Sequence, residues 1–153
     1  MRRYKYFLLF LPFLICSSSL WVPHYKPVTE QYIVLSIYEI AEEVTGAPAN
    51  ILRAIAIVES NEKDTAIGDD GISKGRMQIN ELYRKERIQK YGYYDPFNPL
   101  DSVILSGYIY MANLRIFKNV DKAIASHRQG RTGVIKNGAT MWYVNRVKRY
   151  LDI

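Results

Sequence analysis

The stretch ILRAIAIVESNEKD, residues 51–64, decides the fold, because it runs as an apolar helix and then carries an acid where another aliphatic side chain is expected. On a helix, Glu59 shares one face with Ile55 and Ala56, and that face should turn towards the core. An inward-facing carboxyl group resists ionisation, and a carboxyl group that keeps its proton near neutral pH can serve as a general acid. The alternative is that Glu59 is a solvated residue at the end of a surface helix.

Length and composition indicate one globular domain. The chain has 153 residues, of which 48% are hydrophobic and 24% are charged, so it can bury a sizeable core without disulfides or metals. One cysteine and two histidines predict no metal-ligand cluster and no cofactor. Although the net charge is +6, the sequence has no basic stripe interleaved with aromatic residues and no nucleic-acid-binding motif, so we expect no nucleic-acid partner.

The N-terminus is typical of an export signal. A basic segment, MRRYKY, precedes the apolar FLLFLPFLI and the small residues CSSS. We therefore predict a signal peptide at residues 1–19 and a mature domain at residues 27–153. Cys16 ends the apolar segment, and it is either a lipid attachment site that would anchor the protein to a membrane or an apolar residue removed with the signal.

Hydrophobic spacing and helix-stop residues predict a helical chain with no strand. The helices are expected at residues 29–46, from 48 through 59, within 76–92, and at 100–119, 121–130 and 140–153. Gly, Asp and Pro interrupt any regular element at residues 66–75 and 93–99, which are predicted loops. The expected fold class is all-α, in a single domain.

Several ordered motifs accompany Glu59. The second helix ends in Glu59-Ser60, a Gly-rich loop occupies residues 69–75, and GRMQI follows at residues 75–79. Together with KAIASHRQGRTG and YVNRVKRYL further along, this order resembles the lytic transglycosylase and goose-type lysozyme group of the lysozyme superfamily, over roughly residues 47–151. The resemblance implies a lysozyme-like, SLT-type helical domain with a substrate cleft.

The resemblance also implies roles for individual residues. Glu59 would be the catalytic acid, and the substrate-binding residues would be Ser60, Gly75, Met77, Gln78, His127 and Tyr143. The amide of Gln78 suits the hydroxyl and acetamido groups of an aminosugar, whereas Met77 is expected to pack beneath the cleft. For Ser60 and Tyr143, capping of the helix end and packing in the core are the structural alternatives.

One carboxyl group carries the reaction in the family that this chain resembles. There the Glu protonates the oxygen between N-acetylmuramic acid (MurNAc) and N-acetylglucosamine (GlcNAc), and the acetamido carbonyl stabilises the developing cation. The same Glu then takes the proton of the C6 hydroxyl, which gives 1,6-anhydro-MurNAc. Asp69 and Asp70 are candidates for a second carboxylate, as in a lysozyme-type hydrolase, and are otherwise ordinary turn residues.

Four positions depart from the family's pattern. Arg76 replaces Leu and is expected to reach substrate or solvent, Val103 replaces Asn, and His127 and Arg128 replace Tyr and Asn. Three alternatives follow for His127: it takes over the hydrogen bond of that Tyr near the catalytic acid, it alters the pH range of activity, or it marks a change of function, such as a non-catalytic wall-binding or assembly protein. The predicted partner is the glycan strand of peptidoglycan, in the periplasm or cell envelope, with an envelope-spanning assembly as the recruiting partner.

Overall fold

The computed structural model of the chain describes residues 35–151. Three predictions fall outside this range: the signal peptide at residues 1–19, lipid attachment at Cys16, and the helix start at Thr29. Within it, no helix is both long and apolar enough to cross a membrane.

Six α-helices build most of the described domain. They are α1 Ile37–Thr45, α2 Ala49–Ser60, α3 Arg84–Tyr91, α4 Pro99–Phe117, α5 Val120–Asn137 and α6 Met141–Lys148. The prediction of no strand was wrong, since three two-residue strands form a small antiparallel sheet between α2 and α3. In sheet order, these strands are β1 Ile67–Gly68, β2 Ser73–Lys74 and β3 Ile79–Asn80.

The predicted limits of two helices need correction. Residues 35 and 36 are not helical, and α1 begins at Ile37, because Ser36 and Glu39 form a capping box in which each side chain accepts the other's backbone N–H. The expected stop at Gly130 is a break within α5, where Gly130 has φ of 70° and ψ of 163°. The helix predicted to stop at Gly130 does stop there, and a further helical segment, which was not predicted, continues to Asn137. The last predicted helix, at 140–153, is shorter than expected, because α6 ends at Lys148 and residues 149–151 form a turn.

The hydrophobic core is centred on α2, which packs against α1, α4 and α6. Leu52, Ile55 and Ala56 are buried, which confirms the face predicted to point inward. Helix α4 approaches α1 closely at Gly107, where an added Cβ would lie 2.5 Å from Oγ1 of Thr45. The core therefore fixes the position of the end of α2, where Glu59 lies.

Candidate active site at the end of helix α2

Glu59 is half-buried in the last turn of α2 and is bound to a residue of the last helix. Tyr143, in the first turn of α6, donates a hydrogen bond of 2.5 Å from its hydroxyl to Oε1 of Glu59. Tyr143 is only 1% exposed, so the core holds this donor in place. Within residues 35–151, Tyr143 is the one hydrogen-bond partner of the Glu59 side chain. Glu59 is thus an anchored carboxyl group and not a freely solvated helix end.

The environment of Tyr143 favours its protonated form. Burial raises the pKa of the Tyr143 phenol above its ordinary value, and the charge of Glu59 and the hydrogen bond to it raise that pKa further. The charges of Arg128 and Arg146 act in the opposite direction but more weakly. Tyr143 therefore remains a donor to Oε1 near neutral pH, and a proton on the Glu59 carboxyl group is carried by Oε2.

The backbone of the GRMQI segment is held next to Glu59 by side chains from two helices. Ser60, the neighbour of Glu59, donates from Oγ to the carbonyl of Arg76 over 2.7 Å. His127 of α5 bonds the carbonyl of Met77 through Nε2 over 2.8 Å. Because a carbonyl only accepts, Nε2 of His127 carries the proton. Two adjacent carbonyls of one segment are thereby tied to α2 and to α5.

The side chains of the same segment have separate roles. Met77 is completely buried, as expected for a residue that packs beneath the surface of the site. The amide nitrogen of Gln78 donates to the carbonyls of Gly75, at 2.9 Å, and Ala66, at 3.3 Å. The amide oxygen of Gln78 makes no hydrogen bond to any residue in the described part of the chain. This oxygen lies against Gly68, where an added Cβ would be 2.4 Å from it, and a role of Gln78 in sugar binding remains a prediction.

Gly75 allows two loops to approach each other closely. Its φ is +73°, and an added Cβ would lie 1.7 Å from the carbonyl oxygen of Pro96, so no other residue fits without a shift of the backbone. The observed close approach is therefore between the loop before GRMQI and the loop that precedes α4. An approach of Gly75 to a sugar remains a prediction.

A cleft of about 560 Å³ adjoins the GRMQI segment. Its lining residues come from β3, α3, α4, α5 and the residues around them: Gln78, Ile79, Asn80, Tyr83, Glu86, Arg87, Lys90, Tyr91, Ile109, Asn113, Ser126, His127, Arg128, Gln129, Gly130, Arg131 and Thr132. Two predicted site residues, Gln78 and His127, lie in this lining. Glu59 and Tyr143 do not, and neither do Ser60 and Arg76, whose hydrogen bond ties the end of α2 to the GRMQI segment.

The family model for the transglycosylase SLT domain matches residues 36–142, well over half of the chain. The chain belongs to this family. The match confirms the resemblance and the mostly helical, lysozyme-like fold that it implied. It includes Glu59 and His127 and ends one residue before Tyr143. No curated protein and no solved structure matches the chain.

Membership of the SLT family indicates a glycan-cleaving function of the lytic transglycosylase type at the level of the family. It also implies that the substrate is peptidoglycan and that the protein acts outside the cytoplasm. In the part of this SLT domain that the structure describes, no group of three or more His, Cys, Asp and Glu side chains could hold a metal ion.

Arg76 is a structural residue of this SLT domain, and the expectation that it reaches substrate or solvent was wrong. Its side chain is 16% exposed and forms an ion pair with Asp64, in which Nε and Oδ1 are 2.7 Å apart. A second ion pair joins Nη1 to Glu62 over 3.4 Å, and the same nitrogen donates to the Tyr38 hydroxyl over 2.9 Å. The long cation is thus used to attach the loop to α1 and to the end of α2.

The other departures from the family's pattern have different surroundings. Val103 is fully buried in α4, which explains an apolar side chain at this position. Arg128 is exposed, and its guanidinium lies 4.8 Å from the ring centroid of Trp142, next to Tyr143. His127 contacts the backbone of Met77, and within the described residues it makes no hydrogen bond to Glu59. Tyr143 makes that bond instead.

Asp69 and Asp70 are exposed residues of the loop between β1 and β2. Both have positive φ, 48° and 54°, a conformation that Asp tolerates in turns. Asp69 accepts a hydrogen bond of 2.5 Å from the Ser73 hydroxyl. No hydrogen bond in the described structure connects either carboxylate to Glu59. These contacts are those of turn residues, and a catalytic role for either carboxylate remains a prediction.

Sequence reasoning singled out Arg128 but missed the other cationic residues of the cleft. Arg87 and Lys90 come from α3, and Arg128 and Arg131 come from α5. A signal was available in the spacing of Arg87 and Lys90, which are three residues apart and therefore share one face of α3. Arg128 and Arg131 lie on either side of the break at Gly130, so their spacing predicts no shared face. That these residues would meet across a cleft depends on the packing of helices distant in sequence.

Proposed function

We propose that this SLT domain is a lytic transglycosylase that cleaves the β-1,4 bond between MurNAc and GlcNAc of peptidoglycan, with Glu59 as general acid and then general base. The observation that carries the proposal is the hydrogen bond from buried Tyr143 to Oε1 of Glu59. It orients a single carboxyl group and leaves Oε2 without a hydrogen-bond partner among residues 35–151. A proton donor for a glycosidic oxygen requires such a free, oriented oxygen.

The proposed reaction returns Glu59 to its starting state. Oε2 of protonated Glu59 gives its proton to the glycosidic oxygen as the bond from C1 of MurNAc breaks, and GlcNAc leaves with that proton. The C6 hydroxyl oxygen of MurNAc then bonds to C1, and its proton passes to the Glu59 carboxylate. The Tyr143 hydroxyl stabilises the carboxylate between the two transfers, because hydrogen bonds to a charged acceptor are the stronger ones. No water is consumed.

The GRMQI segment supports this reaction by its fixed geometry. Ser60 and His127 hold the carbonyls of Arg76 and Met77, so the backbone that leads to Gln78 is immobilised before substrate arrives. The amide oxygen of Gln78 is suited to a hydroxyl or acetamido N–H of the sugar. Preorganisation of this kind lowers the entropic cost of positioning the substrate.

The test is mass spectrometry of the fragments released from purified peptidoglycan by the wild type, by Glu59→Gln and by Glu43→Gln. Glu43 is an exposed residue of α1 and serves as the matched control. We expect fragments ending in 1,6-anhydro-MurNAc from the wild type and Glu43→Gln, and none from Glu59→Gln. Reducing ends would show that water attacks, as in a hydrolase. If no wall preparation releases fragments, the protein is a wall-binding or assembly protein.

We further propose that residues 1–19 export the domain to the periplasm or cell envelope. The basic, apolar and small-residue segments of this stretch support export, and Cys16 is the candidate for lipid attachment. N-terminal sequencing of the mature protein distinguishes the cases. A mature chain that begins after residue 19 supports simple cleavage, whereas a lipid-modified Cys16 at the new N-terminus supports membrane anchoring.

A further inference from the structure

We propose that the cleft next to the GRMQI segment binds carboxylates of the stem peptides carried by the glycan strand, so that the SLT domain prefers peptide-bearing strands to denuded ones. The inference rests on the proposed action on peptidoglycan. It starts from the charges of the lining: four cations, which we call the cationic wall, against the single acid Glu86. The cationic wall consists of Arg87, Lys90, Arg128 and Arg131.

None of the four cations of this wall forms a salt bridge within the described residues. Their contacts are to neutral groups: Arg87 donates to the carbonyl of Asn80, the Lys90 ammonium lies 5.1 Å from the Tyr91 ring centroid, and Arg128 lies over Trp142. By contrast, Arg76 and Arg84 pair with carboxylates of their own chain. The positive charge of the wall is therefore not compensated by direct pairing, which suits an anionic ligand.

Arg131 is the most strongly oriented member of the wall. It is half-buried, and its Nε donates a hydrogen bond of 2.9 Å to Oδ1 of Asn113, which is 3% exposed and itself lines the cleft. The two terminal nitrogens of Arg131 make no hydrogen bond to any residue from 35 to 151. A guanidinium fixed through Nε presents both terminal nitrogens as a fork, the geometry that binds a carboxylate through two parallel hydrogen bonds.

The chemistry of the substrate identifies the carboxylate. The sugar rings of the glycan are neutral, and when the peptide is attached, the lactyl carboxyl group of MurNAc is taken up in an amide bond. The anionic groups of such a strand therefore lie on the stem peptide. A denuded strand carries the free lactyl carboxylate instead, which is the other source of the same chemistry. The carboxylates of the stem peptide and the free lactyl carboxylate differ in position and number. A peptide-bearing fragment and a denuded fragment of equal length therefore distinguish the two sources.

The test measures binding and not turnover. Soluble glycan fragments of equal length, either peptide-bearing or denuded by an amidase, are titrated into Glu59→Gln protein by calorimetry, which prevents cleavage during the measurement. The same titrations are made with Arg131→Gln and with Lys90→Gln added to that background. Lys136→Gln on α5 and Lys85→Gln on α3 are matched controls, because both lysines are exposed and neither lines the cleft.

We expect the peptide-bearing fragment to bind at least about tenfold more tightly than the denuded one, as one charge-assisted bidentate contact would provide. Arg131→Gln and Lys90→Gln should move the ratio of the two affinities towards one, and the controls should leave it unchanged. The inference is overturned if both fragments bind equally well. It is also overturned if Arg131→Gln and Lys90→Gln weaken the binding of both fragments by the same factor. A control that lowers the ratio as much as Arg131→Gln overturns it as well, since general charge would then suffice.

Failure of the proposed function gives a different pattern. If the peptide-bearing fragment binds more tightly but the wild type releases no fragment from any wall, the proposed enzymatic function is wrong and the peptide-binding cleft stands. If the wild type releases anhydro fragments but the Glu59→Gln protein binds both ligands equally, the cleft assignment is wrong and the proposed enzymatic function stands.

Discussion

The hydroxyl of Tyr143 donates a hydrogen bond of 2.5 Å to Oε1 of Glu59, although the two residues are 84 positions apart in the chain. They meet because α2 and α6 pack against each other, so the position of the carboxyl group depends on the core and not on a flexible loop. This contact also explains how the domain can have His127 where the family has a Tyr. The donor to the carboxyl group comes from the last helix, and His127 binds backbone.

Replacing Tyr143 by Phe should reduce kcat about tenfold or more with little change in KM. The substitution keeps the buried ring and removes the bond to Glu59, and a hydrogen bond to a charged group is worth about 1.5 to 3 kcal/mol. The measurement is the rate of release of anhydro fragments over a range of substrate concentrations. Tyr93→Phe is the control, because Tyr93 is 78% exposed and does not line the large cleft. An unchanged kcat in Tyr143→Phe would remove Tyr143 from the mechanism.

The spacing of apolar residues was sufficient to predict α2, but it left the position of Glu59 open between the core and a solvated helix end, and the family resemblance favoured the inward position. Neither was sufficient to predict the partner of Glu59. Tyr143 has the spacing of an ordinary core residue, and only the packing of two distant helices brings its hydroxyl to the carboxyl group. The cationic wall was missed for the same reason, since Arg87 and Arg131 lie on different helices.

Local sequence patterns also could not predict the small sheet or the role of Arg76. Each strand has two residues, too few to show the alternation by which strands are recognised. The partners of Arg76 include Tyr38, which lies on α1 and 38 positions away. Long-range ion pairs of this kind leave no periodic signal, and a cation in a loop is therefore easily assigned to solvent or ligand.

Asp69→Asn and Asp70→Asn should leave the product and its rate within about twofold of the wild type. Asp69 is bonded to Ser73 within its own loop, both residues are exposed, and neither contacts Glu59 in the described structure. An amide can still accept the Ser73 hydrogen, so the turn should persist in Asp69→Asn. The assay is fragment analysis by mass spectrometry. Loss of activity in either variant, together with reducing ends in the wild-type products, would establish that aspartate as a second catalytic carboxylate.

Gly75→Ala should destabilise the domain by about 3 kcal/mol or more. The new Cβ would lie 1.7 Å from the Pro96 carbonyl, so the two loops would have to separate, and the positive φ adds strain. Gly71→Ala is a matched control: its φ is +93° and no atom lies within 4 Å of the added Cβ, so only the strain remains, about 1 kcal/mol. Urea unfolding of both variants measures the difference. Equal losses would mean that the loops separate without cost.

Below pH 10, the ionisation of Tyr38 should not affect the free energy of unfolding. Above pH 10, the free energy of unfolding should fall as Tyr38 ionises in the unfolded chain. Burial, followed by the hydrogen bond to Glu62, raises the pKa of Tyr38 from 10.0 to about 12 in the folded protein, against the opposing effect of Arg76. Between these two values the unfolded chain loses a proton that the folded chain keeps. Stability therefore decreases as pH rises, by up to about 1.4 kcal/mol per pH unit from this residue.

Urea unfolding at pH 8, 10 and 11 tests this linkage. Tyr38→Phe should be less stable than the wild type at pH 8, because Arg76 and Glu62 lose the hydroxyl that both contact, but its stability should fall less steeply between pH 10 and 11. Lysine side chains titrate in the same range in all variants, so the difference in slope, and not the slope itself, reports on Tyr38. Tyr93→Phe should follow the wild-type slope. If Tyr38→Phe and the wild type lose stability in parallel, the hydroxyl is as free to ionise in the folded domain as in the unfolded chain.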